Sequence, residues 1–361
     1  MSVRVVIVGD WLSVLGGIEK VIFNLSAGLS ARGHDVWQVG VFDSPQQRGS
    51  RKIGLNAPID PTVNRSAHET AQEELERILR DIGDGWIVTE CIRSARWMED
   101  IDTRNFRLLA QFHPSYEYSV SDATDEGSRA QDDRKYVLEN FSKYEAFSFS
   151  SEEDVQRFQE CGVRNAIWLP NPVNIEAGHT SHRPRLERTV LTAGRLAPIK
   201  RFDRLIDSFS IAGVAGWKLR FVGDGSEEAA LRQHAADRGL EGRVEFAGRK
   251  QFSEMESEYR NAEIFALSSE HEGFGMVLAE AALCGLPSVA FNVSGGVRSI
   301  VKDGITGFLA EPDDIEGFGQ ALRLVMRDTE MRERMGSAAM EHAQIFQVEN
   351  AIHVWEKFLG R

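Results

Sequence analysis

The sequence predicts an α/β protein made of two Rossmann-like domains, each a doubly wound parallel sheet. Three observations carry that expectation. Short apolar runs rich in β-branched residues recur along the chain, VRVVIVG at residues 3–9 being the first, as expected of parallel strands buried on both faces. Helical stretches separate these runs, giving repeated strand–helix–strand units. The length of 361 residues suits two domains, each large enough for its own core.

After the first strand comes the loop DWLSVLGG, then the helix IEKVIFNLSAGLSARG, with Ile18, Val21, Ile22, Leu25 and Leu29 as its apolar positions. Gly33 ends this helix, and HDVWQVGVF starts the next strand. The dinucleotide fingerprint G-x-G-x-x-G is absent. The pair Gly16-Gly17 instead sits immediately before the helix, where backbone amides can cradle a phosphate or a sugar. Between residues 44 and 85 one amphipathic helix is legible, AHETAQEELERILRDIGDG. GWIVTE and FRLLAQFHP read as strands, the second ending at His113 before Pro114. The acidic stretch SVSDATDEGSRAQDDRK, 119–135, reads as a turn-rich surface loop, or as a flap over an acceptor cleft. A helix, a short strand and a Ser-capped helix follow. IWLPNPVN, 167–174, holds prolines 170 and 172, which suit a rigid connector. The polar EAGHTSHRPRLER reads as a linker.

The second half repeats the architecture without repeating the sequence. RTVLTAGRLAPIKRFDRLIDSFSIAG gives strand, loop and helix, with Arg195 and Lys200 flanking a proline-containing loop. KLRFVGDGSEEAALRQHAADRG gives strand, glycine turn and helix, and RVEFAGR and AEIFALSS add strands. SVAFNV follows a central helix. The C-terminal tail is helical, and Trp355 and Phe358 are candidate anchors for its last helix.

The stretch SSEHEGFGMVLAEAALCGLP, 268–287, organises this half. MVLAEAALC has good helix formers and no breaker, while Gly285 and Pro287 end the helix. Glu280 is the only charge between Met276 and Cys284, on a helix apolar nearly all round. A carboxylate buried there needs hydrogen-bond donors. A ribose diol or an arginine from elsewhere would supply them. Glu272 lies in the glycine loop, beside Gly273 and Gly275.

The formal charge of -13 argues against a general nucleic-acid binder. Cys91, Cys161 and Cys284 are scattered without metal-ligand spacing, so reduced thiols and a cytoplasmic setting are expected. The chain runs straight into a strand with no signal-peptide pattern. No apolar run nears the roughly 20 residues that span a bilayer, so membrane contact would be peripheral, at the inner face. Asp100-Ile101-Asp102 matches a metal-binding Asp-x-Asp spacing, but its setting after WME reads as surface.

EGFG followed by EA and GLP resembles the signature of retaining glycosyltransferase family 4, whose members have the GT-B fold of two Rossmann-like domains facing across a cleft. LGGIEKVIFNLSAGLSARGHDV, GRL-x-x-x-K and IWLPNPVN also resemble family stretches, so the likeness covers nearly the whole chain. It implies an acceptor-side domain over 1–172, rejoined by the C-terminal helix at about 345–361, and a donor domain over 173–344. It implies transfer of a hexosyl group from a nucleotide sugar, a UDP sugar before a GDP sugar, with no metal and no cofactor. The acceptor would be a glycan, a lipid-linked sugar, a protein or a small molecule. Glu272 with the amides of Gly273, Phe274 and Gly275 would face the donor sugar, and Glu280 the ribose. Arg195 and Lys200 would bind the diphosphate, and Arg249 would lie near the base. His113 would lie near the sugar, and Gly16 and Gly17 at the donor. Two departures stand out: Arg201 replaces a frequent glycine, and Arg298 a frequent glutamate. The alternatives are a sugar-nucleotide epimerase or phosphorylase of the same fold, or a non-catalytic nucleotide-sugar-binding subunit.

Overall fold

The computed structural model describes residues 2–12, 16–43, 51–59, 64–121, 124–175 and 188–360, with backbone alone at 124–128. The chain divides into two compact units. One comprises the residues up to Val173 together with those from Val348 onward, and the other runs Asn174–Gln347.

The first unit contains β1 (Arg4–Gly9), α1 (Gly17–Ala31), β2 (Asp35–Gly40), β3 (Lys52–Gly54), α2 (Arg65–Ile82), β4 (Gly85–Thr89) and α3 (Ile92–Trp97). It continues with β5 (Phe106–Phe112), α4 (Tyr116–Val120), α5 (Thr124–Asn140), β6 (Ala146–Phe149), α6 (Glu152–Glu160) and β7 (Ala166–Trp168). Its sheet has seven strands in the order β3-β2-β1-β4-β5-β6-β7, all parallel. Alternate residues of β1 feed opposite faces. Val5 and Ile7 join Ile22, Leu25 and Leu29 of α1, whereas Val6 and Val8 join Leu75 and Leu79 of α2.

β3 was not foreseen. Its three residues pair only with β2, at the edge of the sheet, and are too few to show a period. The loop or flap expected at 119–135 is overturned for the most part, because α5 occupies Thr124–Asn140. Ala130 and Val137, seven residues apart, are both buried, and Val137 packs with Ala110 and Phe147. A single apolar stripe at that spacing is enough to hold a helix whose other faces are charged. Most of the linker expected at 176–188 lies outside the described residues.

The second unit contains β8 (Arg188–Ala193), α7 (Phe202–Ala212), β9 (Trp217–Val222), α8 (Glu228–Asp237), β10 (Val244–Phe246) and α9 (Phe252–Asn261). β11 (Ile264–Leu267), α10 (Met276–Leu283), β12 (Ser288–Phe291), α11 (Gly295–Ile300), β13 (Gly307–Ala310), α12 (Ile315–Arg327) and α13 (Thr329–Ala343) complete it. Its six parallel strands run β10-β9-β8-β11-β12-β13. Read from its first strand outward, this is the doubly wound order 3-2-1-4-5-6. Phe209, Phe221, Phe291, Phe318 and Trp217 are fully buried in its core.

The last helix, α14 (Val348–Leu359), packs within the first unit against α1. Trp355 is fully buried and donates Nε1–H to the Pro170 carbonyl at 3.0 Å. Phe358 lies with its ring centroid 5.0 Å from that of Trp86, whose indole donates to the Leu359 carbonyl at 2.9 Å. Gly28 permits the close crossing, since a side chain there would collide with Ile352.

Candidate functional site

In a doubly wound sheet, ligands bind at the C-terminal strand ends, where the strand order reverses. In the second unit that reversal lies between β8 and β11. The loops that follow these strands are bonded to one another. Glu270 N–H donates to the Ile199 carbonyl at 2.9 Å, and the Ser268 hydroxyl donates to the Lys200 carbonyl at 2.9 Å. Between them Lys200 Nζ and Glu272 Oε2 meet at 2.6 Å, both largely buried, and Ser269 Oγ lies 3.3 Å from the same oxygen. The sequence placed these two residues 72 positions apart and in separate roles; the fold makes them an ion pair.

The backbone around this pair is tightly determined. Gly223 and Gly225 follow β9, and side chains there would strike the carbonyls of Gly194 and Leu196. The turn after β9 therefore lies directly against the Gly194–Leu196 loop. Leu196 N–H donates to the Asp224 carbonyl at 2.8 Å. Gly275 takes φ 85° at the start of α10, the left-handed region that favours glycine. A side chain at Gly296 would strike the Gly273 carbonyl, so α11 packs against the backbone of the EGFG loop. Phe274 does not offer its ring to a ligand. It is 5 % exposed and packs edge-on against Phe346, so only its backbone remains for that role.

Arg195 follows β8, inside the sheet, and Arg249 follows β10, at its edge. Both are exposed and neither has an ion pair among the described residues. Arg201 takes φ 44°, ψ 46°, a left-handed conformation. The glycine expected there would adopt it freely. The arginine is held by Asp203 at 3.0 Å and Glu270 at 3.3 Å. Arg298 donates to Asn292 Oδ1 at 2.8 Å.

Glu280 is 1 % exposed, as its solitary charge on α10 led us to expect. One donor is a side chain that the sequence reading did not name: Tyr259 of α9 gives its phenol hydrogen to Oε2 at 2.6 Å. Burial and the nearby carboxylate hold the Tyr259 hydroxyl well above the usual phenol range. A ribose that reached Glu280 would share the carboxylate with this phenol. No pattern in the sequence singled Tyr259 out.

The first unit has its own reversal, between β1 and β4. Asp10, Glu19, Glu90, Cys91, Arg93 and His113 gather near it. Glu19, not a ligand, takes the amides at the start of α1: its carboxylate accepts from the backbone at Gly16 and from its own N–H. A phosphate at Gly16 and Gly17 would therefore face a carboxylate, whereas a sugar hydroxyl can donate to it. Burial pushes the Glu19 carboxyl upward, with Asp10 adding to the effect. Cys91 Sγ donates to Asp10 Oδ1 at 3.0 Å, and burial pushes this thiol up to about 12, so it is no nucleophile. Arg93 lies 3.3 Å from the other Asp10 oxygen. His113 Nε2 lies 3.4 Å from Glu90 Oε2. The sequence analysis missed Glu19 and Glu90, although each adjoins a noted feature: the glycine pair and the end of GWIVTE.

Asp102 of the Asp-x-Asp match is held by Arg104, at 2.6 and 2.8 Å. Among the described residues no group of three or more His, Cys, Asp or Glu side chains is arranged to hold a metal, and no helix is long and apolar enough to cross a membrane.

Two Rossmann-like units, the second with a cation–carboxylate pair at its switch point, are the architecture of the GT-B class. The model of the family described as glycosyl transferases group 1 matches residues 179–342. The chain is 32% identical over 360 residues to an uncharacterized glycosyltransferase of Haemophilus influenzae, covering 95% of this chain and 96% of that one. It belongs to the glycosyl transferases group 1 family and is a glycosyltransferase. Among solved structures, a TarM variant of S. aureus in complex with fondaparinux, alpha-GlcNAc-glycerol and UDP is similar with TM-score 0.82 at 14% identity, covering 100% of both chains. Anabaena HepE in complex with UDP and glucose gives TM-score 0.78 at 20% identity, covering 99% of each. Both have the same fold.

Proposed function

We propose that the protein is a retaining, metal-independent hexosyltransferase that takes its sugar from a UDP sugar and passes it to a glycan or other hydroxyl acceptor. The observation that carries this reading is the Lys200–Glu272 pair at the switch point of the second sheet, with Arg195 after β8 making no ion pair among the described residues. The diphosphate of a nucleotide sugar gains negative charge as the glycosidic bond breaks. Fixed cations stabilise that charge without a metal. Arg195 takes one phosphate. Lys200 turns toward the other and leaves Glu272 to accept hydrogen bonds from the sugar hydroxyls. Glu280, fixed by Tyr259, receives the ribose. Arg249 borders the base.

The residues from 174 to 347 form the donor-binding unit in this reading, and the first unit serves the acceptor, with His113 reaching the transferred sugar. No cysteine or serine is required as a nucleophile. The acceptor attacks on the face that the phosphate leaves, and the departing phosphate takes the proton. UDP is favoured because TarM and HepE were solved with UDP.

Calorimetry with UDP, GDP and their hexose conjugates, together with donor hydrolysis read by proton NMR, tests this reading. UDP binding and slow release of an α-configured sugar are expected, undiminished by EDTA. Inversion at the anomeric carbon or loss of activity in EDTA would overturn the mechanism. Silence toward every nucleotide sugar would overturn the function.

A further inference from the structure

Glu90 is a fully buried acid to which the reading above gives no part. It follows β4, and its backbone N–H donates to the Val8 carbonyl at 2.9 Å, which anchors it to the middle of the first sheet. A carboxylate in such a place costs several kcal/mol unless donors surround it. One side chain at the end of β5 supplies them, and a second lies alongside. Gln111, with its amide oriented to place nitrogen toward the acid, donates to both oxygens of Glu90, to Oε1 at 2.9 Å. His113, two residues on, brings Nε2 to 3.4 Å from Oε2, close enough for charge to act but short of a formed hydrogen bond, and this buried nitrogen has no hydrogen-bond partner among the described residues. Nδ1 makes no hydrogen bond among the described residues, and the imidazole side chain is 14% exposed.

The charges facing this ring are acids. Glu90 comes from the end of β4 and Glu19 from α1; Asp10, paired with Arg93 and Cys91, is near enough to Glu19 to raise its carboxyl. A carboxylate beside one imidazole nitrogen draws the proton to that nitrogen and so sets the tautomer and orientation of the ring.

We propose that Glu90 is the positioning residue of His113, holding its Nε2 proton on the buried carboxylate so that the unprotonated Nδ1 is presented as an acceptor to a hydroxyl of the transferred sugar. The sugar half of this inference rests on the role given to His113 above; the tautomer half does not. Glu90 is itself held on both sides, its carboxylate by Gln111 and its backbone by β1. For metal-bound histidines the loss of such a partner typically costs about 10- to 100-fold, and a loss near the lower end of that range is expected here.

The test uses the full chain labelled with 15N-histidine, the His113 signal being assigned by its disappearance in His113→Asn. Long-range proton–nitrogen spectra should show the Nε2–H tautomer for His113, with Nδ1–H gaining population in Glu90→Gln. With UDP-glucose as donor, Glu90→Gln should lower kcat about tenfold or more with KM changed little, and should cost nothing further when added to His113→Asn. The wild-type spectrum alone decides the matter if Glu90→Gln misfolds: an Nδ1–H tautomer there overturns the proposal. So does a tautomer unaltered in a folded Glu90→Gln protein. A His113→Asn protein of full activity would overturn the sugar half and the role of His113 together, while the tautomer would still report on the pair.

Discussion

Arg201 occupies a backbone conformation that disfavours every side chain, at a cost of about 1–2 kcal/mol. Its ion pairs with Asp203 and Glu270 offset part of that cost, each partly exposed pair contributing about 0.2–1 kcal/mol. Arg201→Gly should therefore unfold in urea within about 1 kcal/mol of the parent, because relief of strain compensates for the lost pairs. Arg201→Ala keeps the strain and loses the pairs, and should be about 1–2 kcal/mol less stable. A similar test applies to the acid on α10. Tyr259→Phe removes the phenol from a carboxylate that is 1 % exposed, and should cost about 1–3 kcal/mol in chemical denaturation. It should also weaken UDP binding in calorimetry, since Glu280 would lose one of the contacts that fix its rotamer. At this scale the sequence was readable where an unusual residue stood in a familiar spacing, as with Glu272 and Lys200. It was unreadable where the informative partner was ordinary. Tyr259 looks like any core aromatic of an amphipathic helix, and Glu90 like the polar end of a strand.

Elements were legible in proportion to their length and apolar content. α10 was plain because MVLAEAAL has no breaker and is followed by Gly285 in a left-handed turn. α5 was misread because its composition is that of a loop, and only the stripe through Ala130 and Val137 distinguishes it. The start of α6 shows how a short element is fixed locally. The Ser151 hydroxyl accepts from Asp154 N–H at 3.0 Å and donates to the Asp154 carboxylate at 2.6 Å, while the other carboxylate oxygen accepts from Tyr116 N–H at 2.9 Å. Burial raises the Asp154 carboxyl from 3.8 to about 6. A raised acid keeps its proton in the folded state after the unfolded chain has lost it. The associated stability is full below about pH 4 and declines as pH climbs through 6. Asp154→Asn should accordingly flatten the fall in stability between pH 4 and 6, followed by urea midpoints at each pH; an unchanged slope would remove Asp154 from that account.

At the scale of the whole molecule, the alternation of apolar runs and helices gave the class, two doubly wound parallel sheets. The strand orders, and with them the switch point of the first unit, came from the structure. What each switch point holds did not follow, because it is assembled from loops separated by dozens of residues. The return of α14 to the first unit has a measurable weight. Trp355 is buried without exposure and hydrogen-bonded to Pro170, next to Trp86 and Phe358. Trp355→Ala should cost about 3–5 kcal/mol, seen as a large drop in the urea midpoint of the first unit. A loss under about 1 kcal/mol would mean that the helix is ornamental there.

Gly296 carries no functional group, yet a side chain at that position would collide with the Gly273 carbonyl. The segment that bears Glu272 and the segment that opens α11 are thus keyed together like cog teeth, with no tolerance for even a methyl group. A wedge at 296 would tilt the Glu272 carboxylate away from Lys200 without altering either residue. Screens for inactive but soluble variants should return position 296 as readily as the acids themselves, and the lesion would be one of alignment, invisible to any inventory of reactive side chains.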